Sequence, residues 1–174
     1  MTLESALIVI VPEVEDLVGR FRIQQDPSAA VGVPAHVTIL YPFKPPHELT
    51  EEVLRSVSEL FARESRFNAS LTETRRFPDV LYLAPQPDVR FRHLIAIAAA
   101  RFPETPPYGG QFLEVIPHLT VAQPEDAAQL DAITAEFELA AQGRLPVQTT
   151  VSDIALIDNA TGRWRVRQRF ALGG

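Results

Sequence analysis

The chain contains no cysteine. That removes disulfides, thiolate nucleophiles and thiolate metal ligands, and nothing points to an oxidising compartment. Lysine is almost missing as well: Lys44 is the only one among 16 basic residues, the rest being arginine. Genome composition accounts for this bias more readily than guanidinium recognition of phosphate does. Positive charge is scarce overall. With a net charge of -6, the chain is not built to coat nucleic acid, which takes many cations on phosphates, and only a local phosphate site is left open. Long apolar runs are absent too. The stretch Ala6 to Val11 is far shorter than the roughly 20 residues of a membrane span. It has no basic segment before it and is followed by Pro12 and acidic residues, so it does not have the layout of a signal peptide and reads as a buried first strand. A cytoplasmic location is the default expectation. No Walker-type loop, dinucleotide glycine pattern, Gly-x-Ser-x-Gly elbow, His-x-His or His-Glu-x-x-His occurs, so no cofactor or metal site is expected.

What remains is ample for folding. At 174 residues and 46% hydrophobic content, residues 1–174 are expected to form one compact domain, ordered throughout and monomeric. Strand and helix signals alternate. After the first strand, Val14, Leu17, Val18 and Phe21 recur at helical spacing. Ala35 to Tyr41 reads as a strand stopped by Pro42, and Thr50 caps an amphipathic helix carrying Val53, Leu54, Val57, Leu60 and Phe61. Phe67 to Phe77 and Val80 to Ala84 form a hairpin around Pro78-Asp79, followed by a helix from Asp88 to Arg101. Pro103 to Gln111, with Tyr108 at its centre, reads as a mobile loop. The second half repeats this order: a strand from Pro117 to Ala122, a helix from Pro124 to Ala141, and strands Val147 to Ile157 and Arg163 to Leu172. The expected fold is therefore α+β and bilobal. Two similar, pseudo-twofold lobes of mainly antiparallel sheet carry helices on their outer faces and enclose a central cleft.

The repeat carries the chemistry. Val33-Pro34-Ala35-His36-Val37-Thr38-Ile39 stands beside Val115-Ile116-Pro117-His118-Leu119-Thr120-Val121. Residues two apart on a strand share a face, so His36 projects with Thr38 and His118 with Thr120, while Val37, Ile39, Leu119 and Val121 enter the core. A single His-x-Thr is usually a half-buried histidine in a sheet. The pattern His-apolar-Ser/Thr-apolar arises by chance at roughly 2% of histidines, so two occurrences among four have odds of a few per thousand. Two imidazoles and two hydroxyls facing one cleft suit phosphodiester chemistry: one histidine takes a proton from the attacking oxygen, the other protonates the leaving oxygen, and the hydroxyls donate to the phosphate. His47 and His93 read as surface residues.

Arg163, Arg165, Arg167 and Arg169 alternate along the last strand and are expected to share one face, either as a solvated surface or as a phosphate-gripping ladder. Arg76, Phe43 and Tyr108 are candidates for touching substrate, Tyr108 by stacking on a base. Tyr41 has the opposite parity to His36 and is expected to point away from the cleft.

On these residues the chain resembles the two-histidine phosphoesterase superfamily, and within it the bacterial 2'-5' RNA ligase or cyclic phosphodiesterase-like proteins. Both copies of the motif match in full, as His36-Val37-Thr38-Ile39 and His118-Leu119-Thr120-Val121. The likeness also covers the Pro78 to Leu83 hairpin, Pro117, Trp164 and Phe170-Ala171-Leu172. It implies a substrate with a 2',3'-cyclic phosphate or a 2'-5' linkage, such as a nucleotide, a small oligonucleotide or an RNA end. By the same analogy His118 is the base, His36 the acid, and Thr38 and Thr120 hold the phosphate. Metal-independent hydrolysis of a 2',3'-cyclic phosphate is the leading expectation. RNA-end joining and a noncatalytic nucleotide-binding module remain the alternatives.

Overall fold

The computed structural model describes all 174 residues, Met1–Gly174. Eight strands form two antiparallel four-stranded sheets. They are β1 (Ser5–Ile10), β2 (His36–Leu40), β3 (Phe67–Arg76), β4 (Leu81–Gln86), β5 (Leu119–Ala122), β6 (Val147–Val151), β7 (Asp153–Asp158) and β8 (Arg165–Ala171). The first sheet has the order β2-β1-β7-β8 and the second β5-β4-β3-β6, so each motif strand lies at an edge. The helices are α1 (Glu15–Gln25), the short α2 (Pro27–Ala30), α3 (Glu51–Ala62), α4 (Asp88–Arg101) and α5 (Leu130–Ala141). The α+β expectation holds, and the sheets match strand for strand around a pseudo-twofold.

The halves exchange strands. The β3–β4 hairpin of the first half lies in the second sheet, whereas the C-terminal β7–β8 hairpin lies in the first. Val147 to Ile157, read as one strand from an unbroken β-branched run, is two strands in different sheets. The break is the single residue Ser152: β6 pairs with β3 on one side of it, and β7 pairs with β1 and β8 on the other. No glycine or proline marks it, because the chain stays extended while its pairing partner changes. The helix expected from Pro124 begins only at Leu130, after a 3-10 turn at Ala127–Gln129. The Asp126 side chain accepts from Ala128 N at 3.0 Å, which caps the turn after a bend at Glu125 and Asp126.

One core of 37 buried residues draws on every strand and on α1, α3, α4 and α5. α1 follows β1 of the first sheet yet packs on β5 of the second, and α4 follows β4 of the second yet packs on β2 of the first. The motif strands also meet each other. α1 passes into α2 through a buried ion pair: Arg22 and Asp26 lie 3.1 Å apart with 3% and 5% of their side chains exposed. Arg22 Nη1 also donates to Val33 O at 3.1 Å, and Asp26 Oδ1 accepts from Ser28 N and Ser28 Oγ. Both side chains are almost fully buried, so the pair is held together away from bulk water. Arg22→Met should cost about 3–5 kcal/mol in denaturant unfolding, because it leaves a buried carboxylate alone. Adding Asp26→Asn, which removes that charge and keeps the cap, should recover part of the loss.

Candidate active site

The motif strands deliver their side chains through a shared irregularity. In β2, His36 lies opposite Ile10 and Thr38 opposite Ile8, but Leu7 then pairs with Leu40, so Ile39 is an extra residue in the ladder. In β5, Thr120 lies opposite Tyr82 while Leu81 pairs with Ala122, so Val121 is the extra residue. Each bulge directly follows the threonine. It lets two successive residues enter the core, Ile39 with Leu40 and Val121 with Ala122, all at most 1% exposed. Alternation then resumes with its phase reversed. The next residue in each copy, Tyr41 or Gln123, is thereby turned to the cleft side. Tyr41, expected to point away, instead packs with Ile8, Ile10 and Trp164 on the face that bears His36.

His36, Thr38, His118, Thr120 and Tyr108 line one cavity of about 540 Å3, together with Asp26, Ser28, Asp79, Gln123 and Glu125. The two imidazoles are held alike: Nδ1 of His36 lies 2.7 Å from Pro34 O, and Nδ1 of His118 lies 2.7 Å from Ile116 O. A carbonyl oxygen only accepts, so each Nδ1 carries the hydrogen and each Nε2 keeps its lone pair for the cavity. The backbone before His36 is itself fixed, by Arg22 on Val33 O and by Ala35 N donating to Glu15 Oε1 at 2.6 Å. Behind His118 lie the stacked rings of Phe77 and Tyr82, 4.4 Å apart, with centroids 5.2 and 5.6 Å from the imidazole.

Burial pushes the His36 pKa down from 6.5 to about 4, against the Pro34 hydrogen bond, and the Arg22 guanidinium depresses it further. Burial also lowers His118, opposed by its bond to Ile116, with no cation among the causes. Tyr108 adopts left-handed backbone angles (φ 51°, ψ 35°), rare outside glycine, and its N donates to Tyr41 O at 2.6 Å. Its phenol is raised by burial, with the Thr38 hydroxyl pulling the other way. Tyr108 also lines a second cavity of about 670 Å3 that shares Asp79, His118, Thr120 and Gln123 with the first and extends over Phe77, Phe112 and Val115.

Two candidates are not brought to the cleft. Phe43 is 4% exposed and packs edge-on to Phe102, 4.9 Å away, in the main core. Arg76, at the end of β3, pairs with Asp131 and lines neither cavity. The four arginines of the last strand do not share a face. A register shift in the β7–β8 pair sets Arg169 opposite Ala155 but Arg165 opposite Asp158, on opposite sides of β7. Arg167 and Arg169 pair with Asp158 and Asp153, and none of the four lines either of these two cavities, which favours the solvated reading over a phosphate ladder. Sequence reasoning missed Asp26, Ser28, Asp79, Gln123 and Glu125. Aligning the two motif copies two residues past their ends, Tyr41 beside Gln123, was the available signal for Gln123.

A family model described as the 2'-5' RNA ligase superfamily matches residues 10–163. The chain belongs to that superfamily. No curated protein matches it in sequence. Among solved structures it is similar to TT0787 of Thermus thermophilus, at 19% identity, TM-score 0.64 and 98% coverage of both chains. E. coli LigT complexed with 3'-AMP matches at 16% identity, TM-score 0.63 and 100% coverage of both chains. LigT complexed with NADP+ matches at 20% identity, TM-score 0.60 and 99% coverage of both. At these identities the likeness concerns the fold. No helix is long and apolar enough to cross a membrane.

The buried histidines couple stability to pH. Between about 4 and 6.5 the unfolded chain binds the proton that folded His36 refuses, so stability rises with pH across this window and is lost as pH falls through it. Discounted for partial exposure, His36 should account for about 1–2 kcal/mol between pH 7 and pH 4. Urea unfolding of wild type and His36→Asn at several pH values checks this, since the difference between the two should shrink in that direction.

Proposed function

We propose that this chain is a phosphodiesterase that opens 2',3'-cyclic phosphates of nucleotides or RNA ends by acid–base catalysis between His36 and His118, without a metal. The observation that carries this reading is the single cavity holding both imidazoles, each tied back through Nδ1, with a threonine hydroxyl beside each. Superfamily membership supports it, as does the nucleotide bound by LigT, the similar structure solved with 3'-AMP.

In the reaction, water adds to phosphorus and one of the two ribose ester bonds breaks. One histidine Nε2 takes the proton from water, and the other delivers its proton to the departing ribose oxygen, giving a phosphomonoester. Thr38 and Thr120 donate to the nonbridging oxygens, where charge accumulates in the transition state. The aromatic wall of the second cavity, Phe77 with Phe112, receives the nucleoside, and Tyr108 stands at the junction.

The asymmetry of the histidines favours roles opposite to those implied by the resemblance. Burial holds His36 neutral and ready to accept, with the Arg22 guanidinium adding to it against the opposing charge of Asp26, whereas His118 is depressed by burial alone. On this reading His36 acts as the base and His118, in its protonated form, as the acid.

Substituting either histidine by alanine should lower kcat on a nucleoside 2',3'-cyclic phosphate by about 10²–10⁴-fold, with EDTA leaving wild type unaffected. Persistent hydrolysis by both variants would sink the proposal. Bis(4-nitrophenyl) phosphate separates the roles, because its leaving group needs no proton: His118→Ala should recover most of its activity on it, and His36→Ala should not.

A further inference from the structure

The cavity proposed to handle a phosphate contains no cation. Neither it nor the adjoining aromatic cavity is lined by any lysine or arginine, whereas Asp26, Asp79 and Glu125 line the first and Asp79 and Glu114 the second. The basic residues near these cavities are engaged elsewhere: Arg22 with Asp26, Arg92 with Asp88 and Glu114, Lys44 with Glu104. Of the carboxylates, Asp26 is buried and neutralised by Arg22. Asp79 and Glu125 are exposed, have no ion-pair partner, and flank His118 from the β3–β4 turn and from the segment after β5.

We propose that this cleft selects a single monoanionic phosphodiester, with Asp79 and Glu125 as the residues that turn away substrates bearing further phosphates. The inference rests on the phosphodiesterase reading and narrows its substrates from nucleotides or RNA ends to a nucleoside 2',3'-cyclic monophosphate or a similarly isolated cyclic diester. A diester carries one negative charge, which two threonine hydroxyls and the single proton required by the acid–base pair during the reaction can match. A neighbouring phosphate lies within a Debye length of the rim, about 8 Å at physiological ionic strength, and meets like charge. The same repulsion speeds the product away, because the phosphomonoester gains a second charge above a pKa near 6.

The test compares kcat/KM of the full chain on adenosine 2',3'-cyclic phosphate with that on the same molecule bearing a 5'-phosphate, at 20 and 300 mM NaCl. At low salt the unphosphorylated substrate should be preferred by about 5–10-fold, the size expected from two screened charges. Salt should raise kcat/KM on the phosphorylated substrate, the opposite of the fall seen when phosphates release counterions from a basic site. Asp79→Asn with Glu125→Gln should bring the ratio of the two values close to 1. A preference for the 5'-phosphate, a fall with salt, or an unchanged ratio in the double variant overturns the inference. Calorimetric binding of adenosine 3'-(methyl phosphate) and adenosine 3'-monophosphate at pH 8 decides the matter independently of turnover. Tighter binding of the methyl ester, lost in the double variant, supports monoanion selection, and equal or weaker binding overturns it. Absence of turnover on any cyclic phosphate would count against the phosphodiesterase reading alone.

Discussion

The packing of α1 on β5 and of α4 on β2 holds the cleft together. Each motif strand is short and lies at a sheet edge, with ladder hydrogen bonds on one side only. Short edge strands are ordinarily the first parts of a sheet to fray. Here the inward side chains Val37, Ile39, Leu119 and Val121 enter one core under helices supplied from the opposite sheet. Separating the two His-x-Thr pairs therefore means opening the core, and the spacing of the imidazoles is fixed by apolar burial rather than by a hinge. The bond from Gln123 N to Gln25 O, 2.7 Å, adds a polar tie between the end of β5 and the end of α1.

Duplication extends beyond the motif to its defects. Both motif strands carry a bulge after the threonine and both imidazoles bond a carbonyl two residues upstream. The differences between the copies are equally informative. His36 stands before a buried ion pair, His118 before two aromatic rings. The backbone frame is symmetric while the electrostatic setting is not, an asymmetry of the kind that separates acid from base in the proposed reaction.

Much of the fold was legible because periodicity reports burial. The alternation in His36 to Ile39, the stripe of α3 with its Thr50 cap and the bounds of α4 all follow from side chains choosing core or water. The failures share a cause: each depends on which backbone a strand pairs with, and side-chain pattern is silent about that. Ser152 sits in an ordinary β-branched run, and nothing in its side chain announces a change of sheet. Ile39-Leu40 is apolar twice over, which reads as the end of a strand and conceals a bulge that re-aims Tyr41. Phe43 drew attention by its nearness in sequence to His36, yet the reversed phase carries the chain back under the core. The Arg22–Asp26 pair had no signal in the sequence, since charges are rarely buried and the partnership appears only when α1 meets α2.

A cavity proposed to bind phosphate without arginine or lysine has to stabilise charge by other means. Hydroxyl and imidazole donors contribute most where water is excluded, because the local dielectric strengthens each hydrogen bond. Exclusion of water is also what depresses both histidines, so the two properties come from the same burial. A lysine or arginine placed in this cavity would stabilise a phosphate directly. It would also favour the dianionic product and depress both imidazoles further, leaving less of the acid form. Keeping the guanidinium of Arg22 behind His36, paired with Asp26 and bonded to the backbone that carries the imidazole, confines its influence to one histidine. The buried ion pair behind His36 and the aromatic rings behind His118 set apart two motifs of the same backbone geometry.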